Sequence, residues 1–128
     1  MPIRSLRSLV LKWPARSAVL SAARAWAAGE APRQAGLLRL GVFGSAASGG
    51  WGVGSDLDLI AIVEHSSLPF MERALGWDLL SLPVPSEILV YTQSEWEAMR
   101  AEGSRFVRTI EEGCLWLWQD GAWLELRI

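Results

Sequence analysis

The chain has 128 residues, 51% of them apolar and 20% charged, with twelve basic and fourteen acidic side chains and a net charge of −2. That length and balance fit one domain with a single core and exclude a disordered chain, and no apolar run approaches the roughly 20 residues of a membrane span. A single cysteine, Cys114, excludes an internal disulfide framework and a cysteine metal cluster, and fits a reducing, cytoplasmic setting.

The charge is unevenly spread. Residues 1–40 carry seven basic side chains against Glu30 alone, whereas residues 41–128 carry five against thirteen acids. A basic arm before an acidic body could draw phosphates to one side and cations to the other, although a solvated basic helix face is the plainer reading. The first 28 residues are rich in Arg, Ser and Ala and almost free of acids. That composition also suits a transit peptide, but it is taken here as helical structure.

In chain order, residues 3–12 have apolar residues at helical spacing (3, 6, 9 and 10). Pro14 then opens a second helix over 15–28, with Val19, Leu20, Ala23 and Trp26 on one stripe and Gly29 as its stop. Residues 29–36 read as a connector, Leu37–Phe43 as a first strand and Asp56–Val63 as a second. Helical spacing returns over Pro69–Leu80, with Phe70, Met71, Leu75, Leu79 and Leu80 in phase, until Pro83 and Pro85 end it. Glu87–Thr92 is a third strand. Thr92 or Ser94 caps a helix running to about Glu102, and Ser104 caps another over Arg105–Glu112, stopped by Gly113. Asp120-Gly121 between two β-prone runs signals a hairpin. The expected fold is α+β, a mixed β-sheet with helices packed on it and a C-terminal β-hairpin. Its expected organisation is one domain over 1–128, with an N-terminal helical segment (1–36), a core (37–118) and a hairpin strand (119–128).

Within this order the stretch Leu40–Val63 stands out, because it holds Gly41, Gly44, Gly49, Gly50, Gly52 and Gly54. Glycine inside regular structure costs about 0.5–1 kcal/mol relative to alanine, so something must approach this backbone closely. Side chains alternate along a strand, which puts Asp56 and Asp58 on one face roughly 6.5–7 Å apart and Leu57, Leu59, Ala61 and Val63 on the other. Two like charges so placed repel unless a cation or donor lies between them. A hard cation such as Mg²⁺, shared with substrate phosphates, satisfies them. Glu87 is the natural third ligand, because it opens the only other strand that begins with a carboxylate; a solvated strand-end acid is its alternative reading.

Gly44-Ser45 supplies a phosphate end, a glycine turn leaving a strand with backbone N–H groups and a hydroxyl beside it. It is neither a Walker loop nor the dinucleotide fingerprint. The bland alternative for the whole stretch is a turn followed by a strand with exposed acids. Ile60 and Ile62 on the acid face argue instead for an interior strand whose apolar end needs cover, from the helices of 3–28 or from a partner protein. Exposed tryptophans near Trp116, Trp118 and Trp123 would favour the partner. Trp51 reads as a plug holding the glycine loop on the core in preference to a base-stacking residue, His65 as a surface histidine, Tyr91 as core, and Cys114 as a buried inert thiol.

A hydrophobic residue, Gly44-Ser45, ten residues and then Asp56-Leu57-Asp58-Leu59 resembles the signature of the nucleotidyltransferase superfamily related to DNA polymerase beta. Within it the chain looks like the minimal nucleotidyltransferases of prokaryotes, often found as antitoxins beside a HEPN-domain partner. Glu87-Ile-Leu-Val-Tyr-Thr, Gly103-Ser104-Arg105-Phe106 and Ile110-Glu111-Glu112-Gly113 extend the likeness over roughly residues 14–118. The resemblance implies a polymerase-beta palm-like fold in which Gly44 and Ser45 contact a nucleoside triphosphate, Asp56 and Asp58 hold Mg²⁺, and Glu87 is the third acid. It further implies transfer of a nucleoside monophosphate, usually AMP from ATP, to a hydroxyl, here on a HEPN-type toxin. Two departures stand out: Ala46, Ala47 and Ser48 follow Ser45 where a basic residue is common, and Glu87 replaces the usual aspartate. The rival reading is a binding module of the same fold that neutralises its partner by contact through tryptophans and the basic N-terminal helix. Homo-oligomerisation is open to either, no membrane association is expected, and the acidic body with no recognition motif speaks against nucleic-acid binding.

Overall fold

The computed structural model describes residues 13–125. Helix α1 (Arg16–Glu30) is followed by a 3₁₀ turn at Ala31–Arg33 and by strand β1 (Leu37–Phe43). After β1 come a single helical turn, α2 (Ser45–Ser48), and strand β2 (Leu57–Val63). A 3₁₀ helix (Phe70–Gly76) leads to β3 (Ser86–Thr92), and then α3 (Gln93–Ala101), α4 (Arg105–Gly113), β4 (Leu115–Gln119) and β5 (Ala122–Trp123) complete the order. The strands form one mixed sheet in the order β3-β2-β1-β4-β5, with β2 and β3 parallel and the other pairs antiparallel. The α+β architecture expected from the sequence is the one observed. The predicted helix over 3–12 lies outside the described residues.

β2 is apolar on both faces because both are covered. Leu57, Leu59 and Ala61 meet Val19, Leu20, Ala23 and Ala27 of α1, while Ile60 and Ile62 meet Trp96, Val107 and Ile110. Cover for the Ile60/Ile62 face therefore comes from α3 and α4, not from the N-terminal helix or a partner as the sequence suggested. The reason lies in α4, whose Val107 and Ile110 fall one turn apart on a single buried stripe. Thr92 and Glu95 form a reciprocal capping box that starts α3 directly at the end of β3, and the Ser104 hydroxyl accepts from Val107 N–H to start α4. The tryptophans of the hairpin are half-buried. Trp118 and Trp123 stack edge to face at 4.7 Å, and Arg24 lies 4.8 Å over Trp123 while donating to the Leu117 and Leu124 carbonyls. Asp120 and Gly121 both take positive φ (51° and 82°), the two-residue turn the sequence announces.

Two expectations about helix extent need correction. α1 runs through Gly29 to Glu30 and gives way where Pro32 enters the following 3₁₀ turn. The helix expected over Pro69–Leu80 is a 3₁₀ helix of seven residues, and three of the five residues of its expected apolar stripe face out: Met71, Leu75 and Leu80 are 85%, 83% and 98% exposed, while Phe70 and Leu79 are half-buried. Here tertiary bonding overrides hydrophobic periodicity, because the buried residue of this turn is Arg73. It donates from Nε to the Leu68 carbonyl and from Nη1 to the Val90 carbonyl on the outer strand, each at 3.0 Å, and forks onto Glu95 at 2.6 and 3.1 Å. That fork holds the Glu95 carboxyl at about 2, well below its ordinary 4.5.

A carboxylate with a depressed folded pKa stabilises the fold above its unfolded pKa, and the contribution is lost as pH falls from 4.5 through about 2. We expect Arg73→Ala to lower urea-unfolding stability by about 2–4 kcal/mol, since two carbonyls and a carboxylate lose their partner. The same change should flatten the acid limb of the stability–pH curve. Wild-type acid sensitivity retained in R73A would refute this account.

Candidate active site

Three carboxylates and a glycine turn meet at one end of the sheet. β2 places Asp58 beside Phe43 of β1 and, in the parallel register with β3, directly opposite Glu87. Neighbouring strands lie about 4.8 Å apart, so Asp58 and Glu87 project side by side from one face. Asp56 precedes β2 by one residue and is exposed, as is Glu87, whereas Asp58 is half-buried. Asp58 has its pKa raised from 3.8, first by burial, then by the charges of Glu87 and Asp56. The three sequence-predicted acids are thus brought into one electrostatic cluster, with Asp58 at its centre.

Gly44 closes the inner side. Its backbone takes φ 71° and ψ −149°, a region open essentially to glycine alone. A Cβ at this position would collide with Asp58 Oδ2. The close approach inferred from glycine density is therefore, at this position, the approach of the strand-end carboxylate to the loop backbone. Ser45 begins α2, a turn that sequence reasoning missed because Ser45-Ala-Ala-Ser48 carries no cap and no apolar period. Its internal bonds begin with the Ala47 and Ser48 N–H groups on the Gly44 carbonyl, at 3.1 and 3.0 Å. The earlier N–H groups of a helical turn point back along its axis, here toward the end of β1.

Sequence reasoning also missed Arg16. Its guanidinium donates from Nε to the Ala46 carbonyl (2.5 Å) and from Nη2 to the Ala47 carbonyl (3.5 Å), while Trp51 Nε1 donates to the Pro14 carbonyl at 3.0 Å. The start of α1 and the glycine loop therefore hold each other by reciprocal bonds, and Trp51 is the plug expected of it. No linear signal connects residue 16 to residue 46; only the packing of α1 across the sheet does. Although Ala46, Ala47 and Ser48, not a basic residue, directly follow Ser45, Arg16 brings a cation to the back of the turn. Arg16→Gln should loosen the loop, raising KM for a nucleotide about 3–10-fold with a smaller change in kcat, as steady-state kinetics would read. An unchanged KM would show that the loop holds its position without this bond.

The donor set is oxygen only, which suits a hard cation such as Mg²⁺. Among the described residues no group of three His, Cys, Asp or Glu side chains is placed to hold a metal ion by itself. Mg²⁺ does not require one, since it keeps several waters and takes substrate phosphates beside one or two carboxylates. Asp58, disfavoured as an anion where it lies, is the group that gains most from a cation. His65 lies far from this cluster, at the opposite end of β2. Cys114 is partly buried, and burial pushes its thiol up to about 12, which leaves it unreactive at neutral pH.

The family model of the nucleotidyltransferase domain matches residues 28–117. A crystal structure from Sulfolobus solfataricus, provisionally described as a nucleotidyltransferase, superposes with a TM-score of 0.63 at 16% identity, covering 87% of this chain and 90% of that one. At that identity the likeness speaks for the fold. No curated protein gives a significant match. Among the described residues no helix is long and apolar enough to cross a membrane.

Proposed function

The chain belongs to the nucleotidyltransferase domain family, and from that premise we propose that it transfers AMP from ATP to a hydroxyl on a partner protein, with Mg²⁺ held by Asp56 and Asp58 and assisted by Glu87. The observation that carries this reading is the register that sets Asp58 against Glu87, with the side-chain-free Gly44 backbone directly beside it.

Gly44 and Ser45 bind the triphosphate, since a turn without a Cβ lets phosphate oxygens reach backbone N–H groups and the Ser45 hydroxyl. A divalent cation on the aspartates would supply neutralisation of charge on the triphosphate and the departing pyrophosphate. The acceptor oxygen forms the new bond to the α-phosphorus, the bond from that phosphorus to the leaving pyrophosphate breaks, and a carboxylate of the cluster takes the hydroxyl proton. Arg16 and Trp51 keep the loop in register with the acids.

The proposed partner is a HEPN-type toxin, with this chain as the antitoxin. Contact neutralisation without turnover is a second reading, favoured by the exposure of Leu68, Met71, Leu75 and Leu80 along the β2–β3 crossover. Among the described residues these side chains are more open to a partner than the half-buried hairpin tryptophans. Incubation with radiolabelled ATP, Mg²⁺ and the product of a neighbouring HEPN gene distinguishes the two. Label on the toxin that vanishes with Asp56→Asn plus Asp58→Asn supports transfer, and label that survives the double change refutes it. Toxin neutralised equally by the double variant, with no label at any stage, supports contact alone.

A further inference from the structure

A cleft of about 630 Å³ lies at the opposite end of the sheet from the carboxylates. Leu38 and Arg39 near the start of β1, Glu64 and His65 after β2, Gln93 and Arg100 of α3, and Gln119-Asp120 at the end of β4 line it. The length of β2, roughly 16 Å from Asp58 to Val63, separates the two sites. Nothing in the proposed transfer reaction uses this cleft.

Its distinguishing group is Arg39. Four arginines among the described residues are not exposed: Arg16, Arg24, Arg39 and Arg73. Three of them donate to backbone carbonyls, whereas Arg39 has no hydrogen bond and no ion pair among the described residues. Its guanidinium is nevertheless held in place, 4.3 Å from the Trp116 ring and 5.8 Å from the Trp96 ring. Gly41 makes this possible, because a Cβ there would come within 2.5 Å of Cys114 Sγ and 2.8 Å of Trp116 Cε3. A guanidinium whose faces rest on indoles keeps its N–H edge for an acceptor in its own plane, the geometry of a carboxylate.

The surrounding charges narrow the ligand. Arg100 is already taken by Glu111, which is also the acid whose charge acts most on Arg39. Glu64 and Asp120 on the rim form no ion pair among the described residues. With the Arg100–Glu111 pair set aside, the cleft wall keeps one cation, Arg39, and two acids, Glu64 and Asp120, on its rim, so a phosphate dianion attracted to Arg39 would be repelled by the rim, and a bare cation the reverse. A molecule carrying a carboxylate beside an ammonium satisfies both, with hydrogen bonds available from His65 and Gln119. We propose that this cleft binds a small zwitterion, by its chemistry a free amino acid, with the carboxylate forked on Arg39 and the ammonium directed to Glu64 and Asp120.

The test is titration of the full chain with each of the twenty amino acids, with acetate and with inorganic phosphate, read by tryptophan fluorescence and calorimetry. At least one amino acid should saturate the site with a Kd of about 1 mM or tighter, with acetate and phosphate about tenfold weaker or more. Arg39→Gln should weaken that amino acid at least about tenfold and Arg39→Lys, which keeps the charge and loses the fork, by an intermediate factor. Asp58→Asn should leave it unchanged, which separates this site from the reaction proposed above. Should Arg39→Gln not fold, Glu64→Gln plus Asp120→Asn retains the anion site and should erase the preference for the amino acid over acetate. No saturation by any amino acid below about 10 mM, equal binding of acetate or phosphate, or affinity indifferent to these substitutions would overturn the proposal.

Discussion

Asp58→Asn should leave a folded protein that melts higher than the wild type when no metal is present and transfers nucleotide at least about 10³-fold more slowly, a loss of about 4 kcal/mol in transition-state stabilisation. The two effects have one cause. Asp58 sits half-buried opposite Glu87 and two residues from Asp56, and its raised pKa records that the fold disfavours its charge. An acid whose folded pKa lies above its unfolded value costs stability at neutral pH. The metal-free wild type should therefore gain stability as pH falls through the folded pKa toward the unfolded one. Asparagine removes the charge at nearly constant volume, so the melting temperature should rise by about 1–4 °C and that pH dependence should flatten. Mg²⁺ should raise the melting temperature of the wild type and not that of the variant. A variant that melts lower than the wild type in the absence of metal would show that Asp58 is held by bonds the repulsion argument ignores. One that retains activity would remove Asp58 from the site.

Asp56, Asp58 and Glu87 are legible in the sequence alone because the strand period of two is rigid. Once Leu57, Leu59 and Ala61 are assigned to a core, the aspartates must share the other face. The hairpin at Asp120-Gly121 and the cap at Ser104 are legible for a similar reason, each being a local rule that tertiary contacts rarely overturn, whereas Thr92 is chosen over Ser94 as the cap of α3 by its reciprocal bonds with Glu95. Less accessible are the features set by distant residues. Apolar spacing over 69–80 suggests a helix, yet the bonds of Arg73 to the outer strand and Glu95 fix which side of that segment is buried. Periodicity ranks residues by hydropathy, and a buried arginine that satisfies two carbonyls inverts the ranking. In the same way, α3 and α4 take the Ile60/Ile62 face because the chain turns back sharply at Thr92, leaving α1 for the other face. Arg16 and Arg39 are invisible for a third reason. Their roles depend on contacts with residues 30 and more than 50 positions away, the Ala46 carbonyl and the Trp96 and Trp116 rings.

Gly44→Ala should be the most damaging single change in the loop, lowering both stability and transfer, whereas Asp58→Asn lowers transfer alone. Two penalties coincide at this position. The φ of 71° with ψ −149° costs a residue bearing a side chain on the order of 1–3 kcal/mol, and the new methyl would also meet Asp58 Oδ2. The loop can escape only by moving, and α2 moves with it, because Ala47 and Ser48 both bond to the Gly44 carbonyl. Stability in urea should fall by about 2–4 kcal/mol and kcat/KM by about 10²-fold or more. A double-mutant cycle separates the penalties. Asp58→Ala clears the space for the methyl but leaves the backbone strain, so the double variant should recover part of the stability lost in Gly44→Ala, about 1 kcal/mol or more, and none of the activity. Strict additivity of the two changes in stability would mean that Gly44 and Asp58 do not touch, and the pairing of glycine loop with carboxylate at the centre of the proposed site would be wrong.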